Sequence, residues 1–432
     1  MSAQRAIIVG AGLVGPLSAC MLRQRGWRVD LYERRGDPRA AGYAGGRSIN
    51  LALSHRGIRA LEAVGIADTV LADAIPMRAR CVHDAVGATS MQPYSHKASR
   101  FINSVSRGGL NCALLDAAEA AGATMHFDVD VDSIKTHEGL ITLPDGARHE
   151  ADLLLGADGA GSAVRHALVE SGTGTAVKEM LEHGYKELRI PAGDNGTWLL
   201  EREVLHIWPR GSSMMIALPN PDGSFTCTLF WALKGEGVSF ERGSADLVRR
   251  EYPDVAACMP TLDDDWAVNP VGQLGTLRCS QWTDGRTLLI GDAAHAIVPF
   301  YGQGMNAGFE DVRLLGEALD RGVNIADFAA SRKPDTDAIA DLALHNFIEM
   351  RDHTASSLHA VRLRVSQWLD SDQPSVFTPL YVLVTFSDMP YSQVLRVKRS
   401  RTLVPALFIL IVAILVISAL WLLLGLILWI LP

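Results

Sequence analysis

Short apolar runs that stop at glycine recur along the chain. AIIVG (6–10), the LLLG of ADLLLGADGAGSAVR (151–165) and TLLIGD (287–292) each have the length and composition of a buried strand that ends in a turn. After the first run, a helical pattern follows, and WRVDLYE (27–33) returns as a second strand closed by Glu33. Gly10, Gly12 and Gly15 fall in G-x-G-x-x-G register between strand and helix. That layout suits a dinucleotide. The glycines allow a tight turn, close approach of backbone to a pyrophosphate, and packing of helix on strand. Glu33 lies about 20 residues on, where a carboxylate accepts from ribose hydroxyls; the plainer alternative is a solvated acid at a strand end. Pro16 falls in the first helical turn, where a missing N–H costs little.

The central run ends in a G-x-D-G turn at Asp158, with Ser162 and Arg165 opening a helix. The middle of the chain alternates apolar and polar positions in LHIWP, MMIALP and FTCTLFWAL, which predicts a sheet inserted between two parts of a nucleotide domain. Residues 333–370 lack strand patterning and predict helix. In GDAAHAIVPFYGQGMNAGFED (291–311) the small residues Gly302, Gly304, Ala307 and Gly308 predict backbone lying against a large flat ligand.

The 432 residues suffice for two domains or one large one. With 40 basic against 48 acidic side chains the net charge is −8, which argues against nucleic acid as a partner. None of the six cysteines forms a C-x-x-C pair, so no metal site and no disulfide framework is expected. From Ala406 to Leu431 the chain is apolar and uncharged, about 39 Å of helix against about 30 Å of hydrocarbon. A transmembrane anchor is expected at 403–431. Arg396, Lys398, Arg399 and Arg401 precede it and place the body on the cytoplasmic side.

Taken together, the N-terminal βαβ unit, the Asp158–Gly159 turn and the late GDAAH motif resemble the FAD-dependent aromatic hydroxylases. GRSINLALSHRG (46–57), IPMRAR (75–80), LHIWPR (205–210), MMIALPN (214–220), FTCTLF (225–230), NFIEMR (346–351) and PLYVLVTFS (379–387), with the 291–311 block, resemble the kynurenine 3-monooxygenase family from near Ile7 to about Ser387. The resemblance implies an α/β fold: a Rossmann-like FAD-binding domain with an inserted, mostly antiparallel β-sheet substrate domain, a helical C-terminal region and the transmembrane helix. The implied divisions are 1–180 (FAD domain, first part, with a substrate-contacting segment at 75–107), 181–275 (substrate sheet), 276–330 (FAD domain, second part) and 331–400 (helices closing the site).

It also implies roles. FAD would be held by Gly10, Gly12, Val14, Gly15, Glu33, Arg34, Ala52, Arg107, Val131, Asp158, Asp292, Met305 and Asn306. Arg80, Tyr94 and Tyr381 would grip the substrate carboxylate, since a guanidinium holds a carboxylate with two prongs. Asn346 would stand near the aniline nitrogen and Met350 beside the ring. Ile216, Leu218 and Phe230 would form an apolar wall, with Phe300 and Gln303 on the flavin side. On the residues alone, the plainer alternatives are Arg80 as one arm of a surface cluster with Arg78, Asn346 and Met350 as ordinary helix residues, and both tyrosines as half-buried core. His295 reads as turn framework. Tyr301 stands where relatives often have another aromatic residue or a histidine.

The implied reaction converts L-kynurenine to 3-hydroxy-L-kynurenine with NADPH and O₂, through a C4a-hydroperoxyflavin, in tryptophan degradation. No protein nucleophile and no metal are needed, and the flavin carries the hard step. Further partners are a lipid bilayer through the C-terminal helix (mitochondrial outer membrane in a eukaryote, inner membrane in a bacterium); oligomerisation stays open. The alternatives are another aromatic flavin hydroxylase, or a membrane-tethered FAD protein without turnover.

Overall fold

The structure is a computed structural model that describes residues 3–40, 50–95, 97, 99–352 and 378–400, with side chains as far as Asn346 in the helix that ends at Asp352. β1 (Arg5–Val9), α1 (Val14–Gln24) and β2 (Arg28–Tyr32) form the expected βαβ unit, with Ile8 level with Leu31 across parallel strands. β1 also pairs in parallel with Leu153–Gly156, which pairs in parallel with Thr287–Leu289. The three glycine-ended runs are therefore neighbours in one six-stranded sheet. Their carboxyl ends open on one crevice, the usual place for a ligand in an open α/β sheet. Ile7, Ile8, Leu154, Leu155 and Leu288 are buried on both faces, each contributing about 1.5–3 kcal/mol of burial.

The second sheet has seven strands in the order Gly272–Cys279, Ala176–Ile190, Phe225–Ala232, Ser213–Pro219, Val204–Arg210, Ala79–His83 and Thr89–Pro93. All neighbours are antiparallel except Val204–Arg210 with Ala79–His83. Alternation gives the sheet two buried faces. Ile207, Met214 and Phe230 pack toward the C-terminal helices, while Trp208, Met215, Leu229 and Trp231 pack under the short helices of 245–268. Ala79–His83 thus carries residues of the first part of the chain into the inserted sheet.

Helix Ile325–Asp352 begins earlier than the pattern at 333 suggested and runs through Pro334. Asn324 starts it by accepting the Asp327 N–H at 2.9 Å, and Phe328, Ala329 and Ile339, buried on either side of the proline, hold it. The expected fold class needs one correction. Among the described residues no helix is long and apolar enough to cross a membrane. The longest, Ile325–Asp352, carries Arg332, Lys333, Asp335, Asp337 and Asp341. The fold that the described residues support is the α/β body with its inserted sheet and helical region. The span expected at 403–431, and with it the bilayer contact and the membrane placement, lies outside the described residues.

Candidate active site where two clefts meet

The crevice at the strand ends holds a cleft of about 430 Å³, lined among others by Gly10, Gly12, Val14, Glu33, Arg34, Arg107, Val131, Asp158, Asp292 and Met305. A Cβ added to Gly12, Gly159 or Gly161 would meet no protein atom within 4 Å, so these turns face open space. α1 starts with no side-chain cap and no acid in its first turn, which leaves its free N–H groups for an anion. Asn111 steadies the turn by donating to the carbonyls of Ala11 and Gly12, both at 3.1 Å.

Two carboxylates define the ends of this cleft. Glu33 accepts from Ala11 N at 2.9 Å and from Arg35 N and Nε at 3.0 and 2.8 Å. Burial opposes its charge, but the Arg35 side chain and these two backbone donors outweigh it and hold the carboxyl below its ordinary value. Asp292 is solvent-accessible, lines the cleft, and accepts no hydrogen bond from any described residue. Desolvation deep in the cleft raises its pKa, partly offset by His295 and Arg107. Asp158 accepts from Ala163 N at 2.7 Å, while its Oδ1 is buried without a partner. Unused acceptors, exposed glycine turns and an uncapped helix start fit the hydroxyls and pyrophosphate of FAD.

The neighbouring cavity, of about 480 Å³, lies on the inserted sheet and shares Leu51, Arg107, Asp292, Gly304 and Met305 with the first cleft. Arg80, Ile216, Leu218, Phe230, Phe300, Tyr301 and Tyr381 line it. The Arg80 guanidinium stands 4.1 Å over the Tyr381 ring and 5.5 Å over Tyr94. Tyr94 and Tyr381 are stacked at 5.2 Å, and Tyr301 stacks on Tyr381 at 5.7 Å. No carboxylate among the described residues pairs with Arg80, and its Nε is buried without a hydrogen bond. The Tyr94 hydroxyl is also buried, near Arg80 and Tyr381 but without hydrogen-bond geometry to either. Burial above all pushes its pKa well up, so the phenol stays a neutral donor. Arg78, by contrast, pairs at the surface with Glu203 at 3.0 Å, so the two arginines do not form one surface cluster.

Other expected residues are placed elsewhere. Gly15 packs α1 on β1, since a Cβ there would stand 1.9 Å from the Gly10 carbonyl oxygen. Ala52 lines the substrate cavity instead of the cofactor cleft. Asn306 is fully buried, donates to the carbonyls of Ala52 and Gly302 at 2.8 and 2.7 Å, and accepts from Ser54 N at 2.9 Å. Gln303 is spent inside the fold: it donates to Tyr301 O at 3.3 Å and accepts from Tyr391 at 3.0 Å. Asn346 donates to Phe300 O at 2.6 Å and does not line the cavity. Met350 lies beyond the last described side chain of its helix. Gly308 is small for a packing reason: its Cβ would approach the Val14 methyl to 2.9 Å.

A buried charge network went unread in the sequence. His295 meets Asp311 at 2.5 Å, and Asp311 also accepts from Gly291 N at 3.1 Å and Arg332 Nε at 2.7 Å. Glu310 pairs with Arg56, which lies 4.0 Å over the Tyr391 ring. Asp311, itself held by Arg332, thereby ties down the turn that presents Asp292, and His295 belongs to that framework. Only the apolar setting of FED at 309–311 hinted at buried acids.

These features define an FAD-dependent oxidoreductase fold, and comparison with known proteins agrees. The FAD binding domain family matches residues 4–324. Among solved structures, 2-methyl-3-hydroxypyridine-5-carboxylic acid oxygenase has the same fold, with a TM-score of 0.69 at 22% identity over 84% of this chain and 97% of its own. Pseudomonas aeruginosa PqsL follows at a TM-score of 0.66 and 18% identity, over 81% and 97%. Kynurenine 3-monooxygenase of Stenotrophomonas maltophilia is 45% identical over 403 residues, 90% of this chain and 89% of the relative. That of Myxococcus xanthus is 44% identical over 402 residues, 89% and 86%. The chain belongs to the kynurenine 3-monooxygenase family.

Proposed function

We propose that the protein hydroxylates L-kynurenine to 3-hydroxy-L-kynurenine, with FAD bound in the first cleft and NADPH and O₂ as co-substrates. One oxygen atom replaces a ring hydrogen with a hydroxyl; the other leaves as water, with the electrons drawn from NADPH. The observation that carries this reading is the half-buried Arg80, which lines an apolar cavity over two stacked tyrosine rings and pairs with no carboxylate among the described residues. A guanidinium drawn partly out of water without a counter-ion is unfavourable by itself, and a substrate carboxylate supplies the missing charge. Tyr94 and Tyr381 offer phenol donors to its remaining acceptor sites.

Gly10, Gly12, Glu33, Arg107, Asp158 and Asp292 would hold FAD, which supplies the two-electron redox chemistry and the activation of O₂ when bound. Ile216, Leu218 and Phe230 form one wall for the aromatic ring, and Phe300, 5.3 Å from Phe230 by ring centroids, adds to it. The apolar wall keeps water from the reacting carbon, and the Arg80 grip orients the ring toward the boundary shared with the first cleft. No histidine lines the cavity among the described residues. The chemistry agrees, because the substrate's own amine activates the ring carbon beside it. The test is NADPH oxidation by the FAD-loaded protein with L-kynurenine, its decarboxylated analogue, anthranilate and 4-hydroxybenzoate. L-Kynurenine alone should accelerate it strongly; an equal response to a simple benzoate or phenol would assign the site to another aromatic substrate.

A further inference from the structure

The reverse face of the strand that carries Arg80 holds a second cluster. In Ala79–His83 the side chains alternate, so Arg80 faces the cavity while Cys81 and His83 face the other way. Parallel pairing sets His206 directly beside Cys81. Ligand atoms of Cys81, His83 and His206 all lie within 4.8 Å of one another. We infer that Cys81, His83 and His206 form a binding site for a thiophilic divalent cation, Zn²⁺, with one thiolate, two imidazole nitrogens and an open fourth position.

The surroundings are those of a prepared ligand set. His206 Nε2 lies 2.8 Å from the Glu201 carbonyl oxygen. An N–H donated there fixes the tautomer and leaves the Nδ1 lone pair free, as metal-bound histidines are commonly held. That Nδ1 is 2.9 Å from His83 Nε2, so one proton now occupies the space where a cation would bridge the rings. On binding, His83 moves its proton from Nε2 to Nδ1, Cys81 loses its thiol proton to solvent, and both rings stay neutral. Trp208 stacks on the His83 ring at 4.3 Å and holds its orientation. His83 is half-buried, and Met91, across from Cys81 on the edge strand, is 54% exposed, so the cluster opens to solvent on that side. Spacing along the chain gave no warning, because only strand pairing brings His206 to Cys81.

The test uses the full, FAD-loaded, untagged chain, reduced and freed of metal, then equilibrated with Zn²⁺ by dialysis. One zinc per chain is expected, and its X-ray absorption fine structure should show one sulfur at about 2.3 Å with nitrogen at about 2.0 Å. Cys81→Ser should remove the sulfur contribution, and His83→Gln should weaken retention at least about tenfold, both with FAD content unchanged. FAD content reports the fold independently, so a misfolded variant is recognised as such. A zinc shell without sulfur, or zinc retention untouched by both variants, would overturn the assignment.

Discussion

Replacing Arg80 with methionine removes a charge that stands over the Tyr94 and Tyr381 rings at the cavity. Among the described residues the guanidinium pairs with no carboxylate that would offset its desolvation, so Arg80→Met should leave the melting temperature of the ligand-free protein unchanged or raise it. In the complex the loss is large. Breaking one member of a buried charged pair costs about 2–5 kcal/mol. Tyr94 and Tyr381 remain as neutral donors, which places the effect near the middle, about 3 kcal/mol or on the order of a hundredfold in affinity. Titration calorimetry with L-kynurenine on wild type and variant reads this directly. The decarboxylated analogue should bind the native protein poorly and lose little more on mutation. FAD content should stay the same in both proteins. Equal losses for the two ligands, or a fall in stability without ligand, would remove Arg80 from the carboxylate site.

Asp292→Ala removes an acceptor that has no partner among the described residues, so FAD affinity should fall about tenfold to a hundredfold while the FAD-free protein melts no lower. Glu33→Ala should lower both FAD affinity and melting temperature, because Glu33 also ties Ala11 to Arg35; flavin fluorescence and calorimetry separate the two cases. Asp311→Asn should cost about 3 kcal/mol at neutral pH through loss of a buried ion pair. The Asp311 carboxyl is held low chiefly against burial by His295 and Arg332. Its contribution is therefore present above the unfolded value, about 3.9, and is lost as pH falls through the folded one. Wild type and variant should converge in acid denaturation; a constant gap down to low pH would contradict this.

The glycine-ended strands were legible because their signals are local: an apolar run, a turn residue, a helix start. Strand pairing then placed Gly10, Gly156 and Gly291 on one crevice, as the repeated motif suggested. Ile216, Leu218 and Phe230, expected as a wall from family resemblance, line the cavity on the inserted sheet. Gln303 and Asn346 were not, because an amide that reaches into a site and one that holds a carbonyl look the same in sequence. The structure spends both on backbone and side-chain partners. The Arg56, Glu310, Asp311 and Arg332 cluster was hidden for a related reason. Its members come from three helices, and charge on a helix ordinarily marks a solvated face. Helix Ile325–Asp352 starts before the 333 that the pattern suggested, and packing of Phe328, Ala329 and Ile339 on either side of Pro334 carries it through the proline.

Hydroxylation of L-kynurenine is read out by product analysis after incubation with NADPH and isotopically labelled O₂. The expected product carries one labelled oxygen, placed by NMR on the ring carbon beside the amine, with NADPH consumed in equal amount. Recovery of unchanged kynurenine alongside hydrogen peroxide, or a hydroxyl at any other ring position, would contradict it.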